Sequence, residues 1–192
     1  MAASLLIVGA GGHGRSVAEI VAASDAWRFV GFVDDTAPRS TSAANWPVIG
    51  TTGELAACRS VAEFAIVAIG NNVVRGRLQQ QLIDLGFEIA SVIHRSAIVA
   101  PSARHGVGCA IMAGAVIGTE ATLGNGVIVN SGAVIDHHCS VQDYAHLGTN
   151  ACMAGGSVLG RAAWMQAGSA LGYGVQVPAG AVLNVGEKVQ AL

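Results

Sequence analysis

Three of the six histidines in this chain, His137, His138 and His146, lie within ten residues of one another, in a stretch that also holds Asn130, Asp136 and Asp143. A metal centre needs three or four convergent ligands, and with no HExxH or comparable spacing no metal site is expected. Cys139 is adjacent, but it falls in a column of small residues that reads as interior, which makes it a poor nucleophile. Two readings remain: a general base, the commonest task of an imidazole near neutral pH, or histidines that are merely solvated.

A second candidate site lies near the start. The apolar run Leu5 to Val8 leads into Gly9-Ala10-Gly11-Gly12-His13-Gly14, followed by a helical pattern from Arg15 to Ala23. This GxGxxG turn lets backbone approach a phosphate, and the helix N-terminus offers unpaired N–H groups. The run Phe29 to Val33 ends in Asp34-Asp35, where an acidic side chain can accept hydrogen bonds from a ribose or a base. A third run, Phe64 to Ile69, ends in Gly70-Asn71-Asn72 before a helix from about Val73 to Leu85, and Glu88 to Ile93 reads as a fourth strand. Each strand ends in residues able to bind a ligand. The competing reading is that the glycines only close a tight turn and that His13 caps it.

The elements that must position these residues differ between the two halves. Residues 1–94 read as half of a doubly wound α/β sheet; a complete NAD site needs a second half, so a dehydrogenase is not expected. Residues 95–192 follow another rule. Stepping by six from Val99 through His105 and Ile111 to Leu183 gives fifteen positions, fourteen of them aliphatic or Met. Four residues after each of the first fourteen stands a second column, from Ala103 and Cys109 to Ala181, in which every member is small or β-branched. That period fits neither a helix nor an alternating strand and predicts a hexapeptide parallel β-helix. With three hexads per coil, His137 and His146, nine residues apart, fall on different faces of the prism, which points to a site shared between chains. His105 breaks the aliphatic column and is expected to be a local irregularity near the first coil.

Composition limits the partners. A net charge of −2 and 11% charged residues leave no basic footprint for nucleic acid and no polybasic membrane signal. No apolar run is long enough to span a membrane, and MAASLLIVGAGG lacks a basic leader, so a cytoplasmic protein is expected. Cys58, Cys109, Cys139 and Cys152 show no metal or redox spacing and read as free thiols.

The motifs GAGGHG with AEI (Gly9 to Gly14, Ala18 to Ile20), GFVDD (Gly31 to Asp35), AIGNNVVR (Ala68 to Arg75), Asn130, IDHHC (Ile135 to Cys139) and His146 occur in this order over nearly the whole chain. Together they resemble the bacterial hexapeptide-repeat sugar acetyltransferases: the UDP-4-amino-sugar N-acetyltransferases of bacillosamine synthesis and the related sialic acid O-acetyltransferases. The resemblance implies a half-Rossmann α/β domain followed by a left-handed parallel β-helix. It also implies a homotrimer with active sites between prisms, acetyl-CoA along the β-helix, and a nucleotide sugar held by the N-terminal domain. Gly11, Gly12, His13, Asp34, Asp35 and Gly70 then match sugar-nucleotide contacts. His137 matches the catalytic base, with His138 and Asn130 beside it, while His146, Gly155 and Ala167 match contacts of the acetyl-CoA.

Two departures from the family pattern stand out. The residue after the base is commonly acidic in the family, which makes the imidazole a stronger base, whereas here it is His138. Asp136 is the nearest substitute in sequence. The segment Gly186 to Leu192 also lacks the longer closing segment of relatives, so an altered CoA contact is expected. The expected reaction is direct acetyl transfer from acetyl-CoA to the amine of a nucleotide-linked sugar, such as a UDP-4-amino-4,6-dideoxy-sugar. O-acetylation of sialic acid or another sugar hydroxyl is one alternative, and a non-catalytic nucleotide-sugar scaffold is another.

Overall fold

The computed structural model describes residues 2–36 and 46–191 of the 192. It forms two compact units that divide between Val92 and Ile93.

The first unit is a parallel sheet of five strands, β1 (Ala3–Val8), β2 (Trp27–Val33), β3 (Val48–Gly50), β4 (Phe64–Val67) and β5 (Glu88–Ile89), in the order β3-β2-β1-β4-β5. Leu5, Leu6, Ile7 and Val8 have no exposed surface, as a central parallel strand buried on both faces requires. Because β1 pairs with both β2 and β4, the strand order reverses at β1, and its carboxyl end is the natural ligand crevice. Helix α1 (Gly12–Ala22) starts three residues before the expected Arg15: Gly11 is its extended N-cap, and its carbonyl accepts from the Arg15 N–H at 3.0 Å. After the short helix α2 (Leu55–Cys58), helix α3 (Asn72–Asp84) is capped by the Asn71 side chain, which accepts from the N–H groups of Val73 and Val74.

Two details differ from the sequence reading. Strand β3 was not anticipated; it is only three residues long and pairs with β2 across an irregular register. The expected fourth strand is split: Glu88–Ile89 joins β4, whereas Val92–Ile93 belongs to a sheet of the β-helix.

The two-residue strands that run from Val92–Ile93, at the division, to Lys188–Val189 are arranged in three parallel sheets. Partners are offset by 18 residues, as in Val116↔Val134, Thr122↔Ser140 and Ile128↔His146, so three hexads make one coil. From Ala110–Ile111 to Val182–Leu183 the second residue of each strand stacks inside with the small column, and Ile111, Ile135, Leu147, Leu159 and Met165 are all at or below 1% exposure. His105 occupies an inward column position but is exposed in the first coil, where its Nδ1 lies 2.8 Å from the Gly106 carbonyl oxygen.

The corners obey the same period. Every sixth residue from Gly108 to Gly186 has a φ between +55° and +75°. Nine of these fourteen are glycine; Glu120, His138, Tyr144, Asn150 and Ala162 are not. An L-residue in this left-handed region costs about 1 kcal/mol relative to glycine, so each exception carries a small strain.

Candidate active site

The carboxyl ends of the first unit's strands enclose a cavity of about 370 Å3 lined by Gly11, Gly12, His13, Asp34, Asp35, Thr36, Thr52, Gly70 and Arg77, among others. Its glycines fall into two groups. A Cβ on Gly9 would lie 2.8 Å from Ile69 Cγ1, and one on Gly14 would collide with the Gly9 carbonyl oxygen, so both are fixed by packing within the protein. Gly11, Gly12 and Gly70 have nothing within 4 Å of where a Cβ would stand. Their missing side chains leave open room at the cavity instead.

Asp34 and Asp35 line this cavity, but their carboxylates are also used by the loops around it. Asp34 Oδ2 accepts from the Ala10 N–H at 2.7 Å, and its Oδ1 accepts from the N–H and hydroxyl of Thr36. Asp35 accepts from the N–H and hydroxyl of Thr52, at 2.7 and 2.8 Å. Both residues therefore shape the cavity, tying the glycine loop and the Thr52 turn to the end of β2. Arg75, fully buried, holds the opposite loop by donating to the carbonyls of Ile69 and Gly70 and to Asn72 Oδ1. Burial, and secondarily the charge of Arg75, lower the pKa of His13 from 6.5 to about 4, so its imidazole is neutral at pH 7. Its Nε2 is buried with no hydrogen-bond partner among the described residues. Arg77, Thr36 and Thr52 line the same cavity and were missed from the sequence, where lone polar residues on a helix or turn carry no signal.

On the β-helix the predicted residues form two separate groups. The first sits at a corner. His137 Nδ1 lies 2.9 Å from His138 Nδ1, and His138 Nε2 lies 3.0 Å from Glu120 Oε2. The His137 ring lies over Gly155, one coil on: a Cβ there would stand 2.5 Å from Cε1 and 2.6 Å from Nε2. Tyr173, a further coil on, has its ring centroid 6.5 Å from that of His137. Asp136 accepts from the His137 backbone N–H at 2.7 Å, and its other oxygen is 3.9 Å from Nε2, too far for a hydrogen bond. Glu120 is thus the carboxylate that reaches the histidine pair, a connection the sequence reading did not make.

The second group lies on another face. His146 is in the strand His146–Leu147; its Nε2 is 2.8 Å from Asn130 Nδ2, and its ring stacks on Trp164 at 5.6 Å between centroids. Leu147 points into the core, while the outward His146 is 8% exposed. Ala167 follows the next strand of this face, Trp164–Met165, and is exposed. His137 occupies the turn between Val134–Ile135 and Ser140–Val141, strands of the other two sheets, so the chain does not bring it together with His146 on one face. Asp143 is structural: it accepts from the Asn125 N–H at 2.8 Å and pairs with Arg161 at 3.1 Å. Cys139 is buried, with Sγ 3.2 Å from the Ala154 carbonyl oxygen, an interior setting unsuited to a nucleophile. No group of three or more His, Cys, Asp or Glu placed to hold a metal ion occurs among the described residues.

Comparison with known proteins adds the family. Residues 4–82 match the family model of the PglD N-terminal domain. The chain is 34% identical to PerB from Caulobacter crescentus, whose crystal structure contains CoA and GDP-perosamine; the match covers 97% of this chain and 88% of that one, with a TM-score of 0.91. The chain belongs to the bacterial hexapeptide-repeat sugar acetyltransferases. A second such acetyltransferase, the acetyltransferase domain of PglB from Neisseria gonorrhoeae in complex with acetyl coenzyme A, is 35% identical over 100% of this chain and 97% of its own, with a TM-score of 0.75. The UDP-N-acetylbacillosamine N-acetyltransferase of Bacillus subtilis (strain 168) is 32% identical over 111 residues, 57% of this chain and 51% of that protein. The aligned stretch thus spans about half the length of that curated relative.

Proposed function

We propose that this protein transfers the acetyl group of acetyl-CoA directly to the amine of a nucleotide-linked amino sugar, with His137 as general base. The observation that carries the reading is the seat of His137: an imidazole lying over Gly155, where only a missing side chain leaves it room, in a chain whose other unit has a cavity with open space beside Gly11, Gly12 and Gly70. The amine nitrogen attacks the thioester carbon, a C–N bond forms, and the C–S bond breaks. His137 Nε2 takes the amine proton and delivers it to the departing thiolate. No acetyl-enzyme forms, in keeping with the buried thiol of Cys139. Holding both substrates in one cleft supplies much of the rate by replacing a bimolecular encounter.

Residues 1–94 bind the nucleotide sugar in this reading, and residues 95–192 carry the transfer. The glycine loop at the start of α1 and the cation of Arg77 suit a diphosphate, and His13 offers a neutral imidazole to the same ligand. His146 and backbone groups at Gly155 and Ala167 hold the acetyl-CoA, with donors near His146 and Gly155 steadying the developing oxyanion. Since His137 and His146 stand on different faces of one prism, a cleft that uses both takes them from two chains, in keeping with the homotrimer that the family resemblance implies. Among the described residues no helix is long and apolar enough to cross a membrane, and we assign the activity to the cytoplasm.

PerB, solved with GDP-perosamine, and the Bacillus relative, named for a UDP sugar, support a nucleotide-linked amino sugar and offer two bases. The reading takes a UDP-4-amino-4,6-dideoxy-sugar as substrate. Thiol release from acetyl-CoA, measured with UDP- and GDP-linked amino sugars and with sialic acid, tests it. Release with the amino sugars alone is expected. Release with the hydroxyl acceptor alone would make the protein an O-acetyltransferase, and none with any acceptor would make it a scaffold.

A further inference from the structure

We infer that Glu120, acting through His138, is the positioning carboxylate that fixes the proton on His137 and leaves Nε2 of that ring as the base. The inference rests on the assignment of His137 as general base. Glu120 and His138 are 18 residues apart, one full coil, and occupy the same corner in successive turns with φ of 57° and 59°. Nine of the fourteen corner positions are glycine, so both residues hold a backbone conformation that most of their counterparts leave to glycine. Their side chains then meet, with His138 Nε2 3.0 Å from Glu120 Oε2.

The direction of the proton chain follows from donor chemistry. An ionised carboxylate only accepts, so His138 carries its hydrogen on Nε2 and donates it to Glu120. The Nδ1 of a neutral His138 is then a bare acceptor, and it lies 2.9 Å from His137 Nδ1, which donates its own hydrogen there. His137 Nε2 is left with its lone pair free for the substrate amine. When that nitrogen takes the proton, the resulting cation is connected to a carboxylate through one imidazole. In this chain a carboxylate is thus joined to the base by a two-part device, Glu120 and His138. Asp136 does not substitute for it, because one of its oxygens accepts from the His137 backbone N–H and the other stands 3.9 Å from Nε2. Glu120 and His138 are 61% and 60% exposed at their side chains, so the pair adds little to stability and its value lies in orientation.

The test uses the full chain carrying Glu120→Gln, His137→Ala, and Glu120→Gln combined with His138→Glu, together with 15N spectra of the histidine rings. In the native protein His137 is expected as the Nδ1–H tautomer and His138 as the Nε2–H tautomer. Glu120→Gln is expected to weaken both preferences and to lower kcat by about tenfold to a hundredfold, less than the roughly 10² to 10⁴ that loss of the base itself costs, at unchanged KM for acetyl-CoA. Adding His138→Glu sets a carboxylate directly beside His137 and is expected to recover most of the loss. Native kcat in Glu120→Gln, with His137→Ala inactive, overturns the relay and leaves the base in place. A loss that His138→Glu does not recover also overturns it, since a purely local effect of Glu120 would behave that way. Full activity of His137→Ala overturns the base itself, and the relay with it.

Discussion

The imidazole of His137 fills the space that a side chain on Gly155 would need: a Cβ at that position would stand 2.5 Å from Cε1 and 2.6 Å from Nε2 of the ring. The two residues are one coil apart, and the His137 carbonyl accepts from the N–H of Gly156, so the backbone under the ring is fixed. Gly155 lies outside the left-handed region, and alanine is acceptable to its backbone. Gly155→Ala is therefore expected to push the imidazole aside while the coil stays folded. A displacement near 1 Å lowers kcat by about a hundredfold. Steady-state kinetics beside a thermal melt check this, and native kcat in a folded variant would detach His137 from its seat.

The open space beside Gly70 gives a test of the nucleotide cavity. A leucine there meets no protein atom at its Cβ and projects into room the reading gives to the ligand. Gly70→Leu is expected to raise KM for the nucleotide sugar at least tenfold, with KM for acetyl-CoA unchanged. Stability is expected to move by no more than about 0.5 kcal/mol, the range of an uncrowded surface substitution. Unchanged KM for the sugar would remove Gly70 from the binding surface.

His13 makes stability depend on pH. Its folded pKa of about 4 lies below the ordinary 6.5, chiefly because burial disfavours the imidazolium. Above pH 6.5 the ring is neutral in both folded and unfolded chains, and its contribution is fully present. Between pH 6.5 and about 4 only the unfolded chain takes up the proton, so stability falls as pH falls, by roughly 3 kcal/mol over the window. His13→Gln is expected to flatten the loss measured by urea unfolding between pH 7 and 5. Parallel curves for native protein and variant would contradict a buried, neutral His13.

Corner strain makes a fourth prediction. Ala162 has a φ of 55° at a position where most coils carry glycine. Ala162→Gly is expected to stabilise the β-helix by about 0.5 to 1 kcal/mol, read as a raised denaturation midpoint. A lowered midpoint would mean that the methyl group contributes more than the backbone strain costs.

The parts of this protein that were legible in the sequence are those where backbone geometry repeats. Fourteen aliphatic or Met positions in fifteen steps fixed the prism, because a coil of three hexads stacks like upon like with no slip. The glycine loop was legible for a similar reason, since Gly9 and Gly14 are required by contacts within the fold. The roles of Asp34, Asp35 and Asp143 were not legible. A carboxylate at a strand end has the same appearance in sequence whether or not it also accepts from the protein's own N–H groups, as those of Asp34, Asp35 and Asp143 do from Ala10, Thr36, Thr52 and Asn125. Glu120 was overlooked because it is 17 residues from His137 in the chain and belongs to no motif. The signal was nonetheless present: once a coil is 18 residues, Glu120 and His138 must share a corner. Strand β3 was lost to its brevity, with Val48–Gly50 too short to show a period.

The central claim is that the amine proton is taken by His137. The measurement that addresses it most directly is kcat for thiol release from acetyl-CoA by His137→Ala, with acetyl-CoA affinity determined on the same preparation. The account predicts a fall of about 10² to 10⁴ with acetyl-CoA binding retained, the loss that removal of a general base produces. Native kcat in a variant that still binds acetyl-CoA would contradict it.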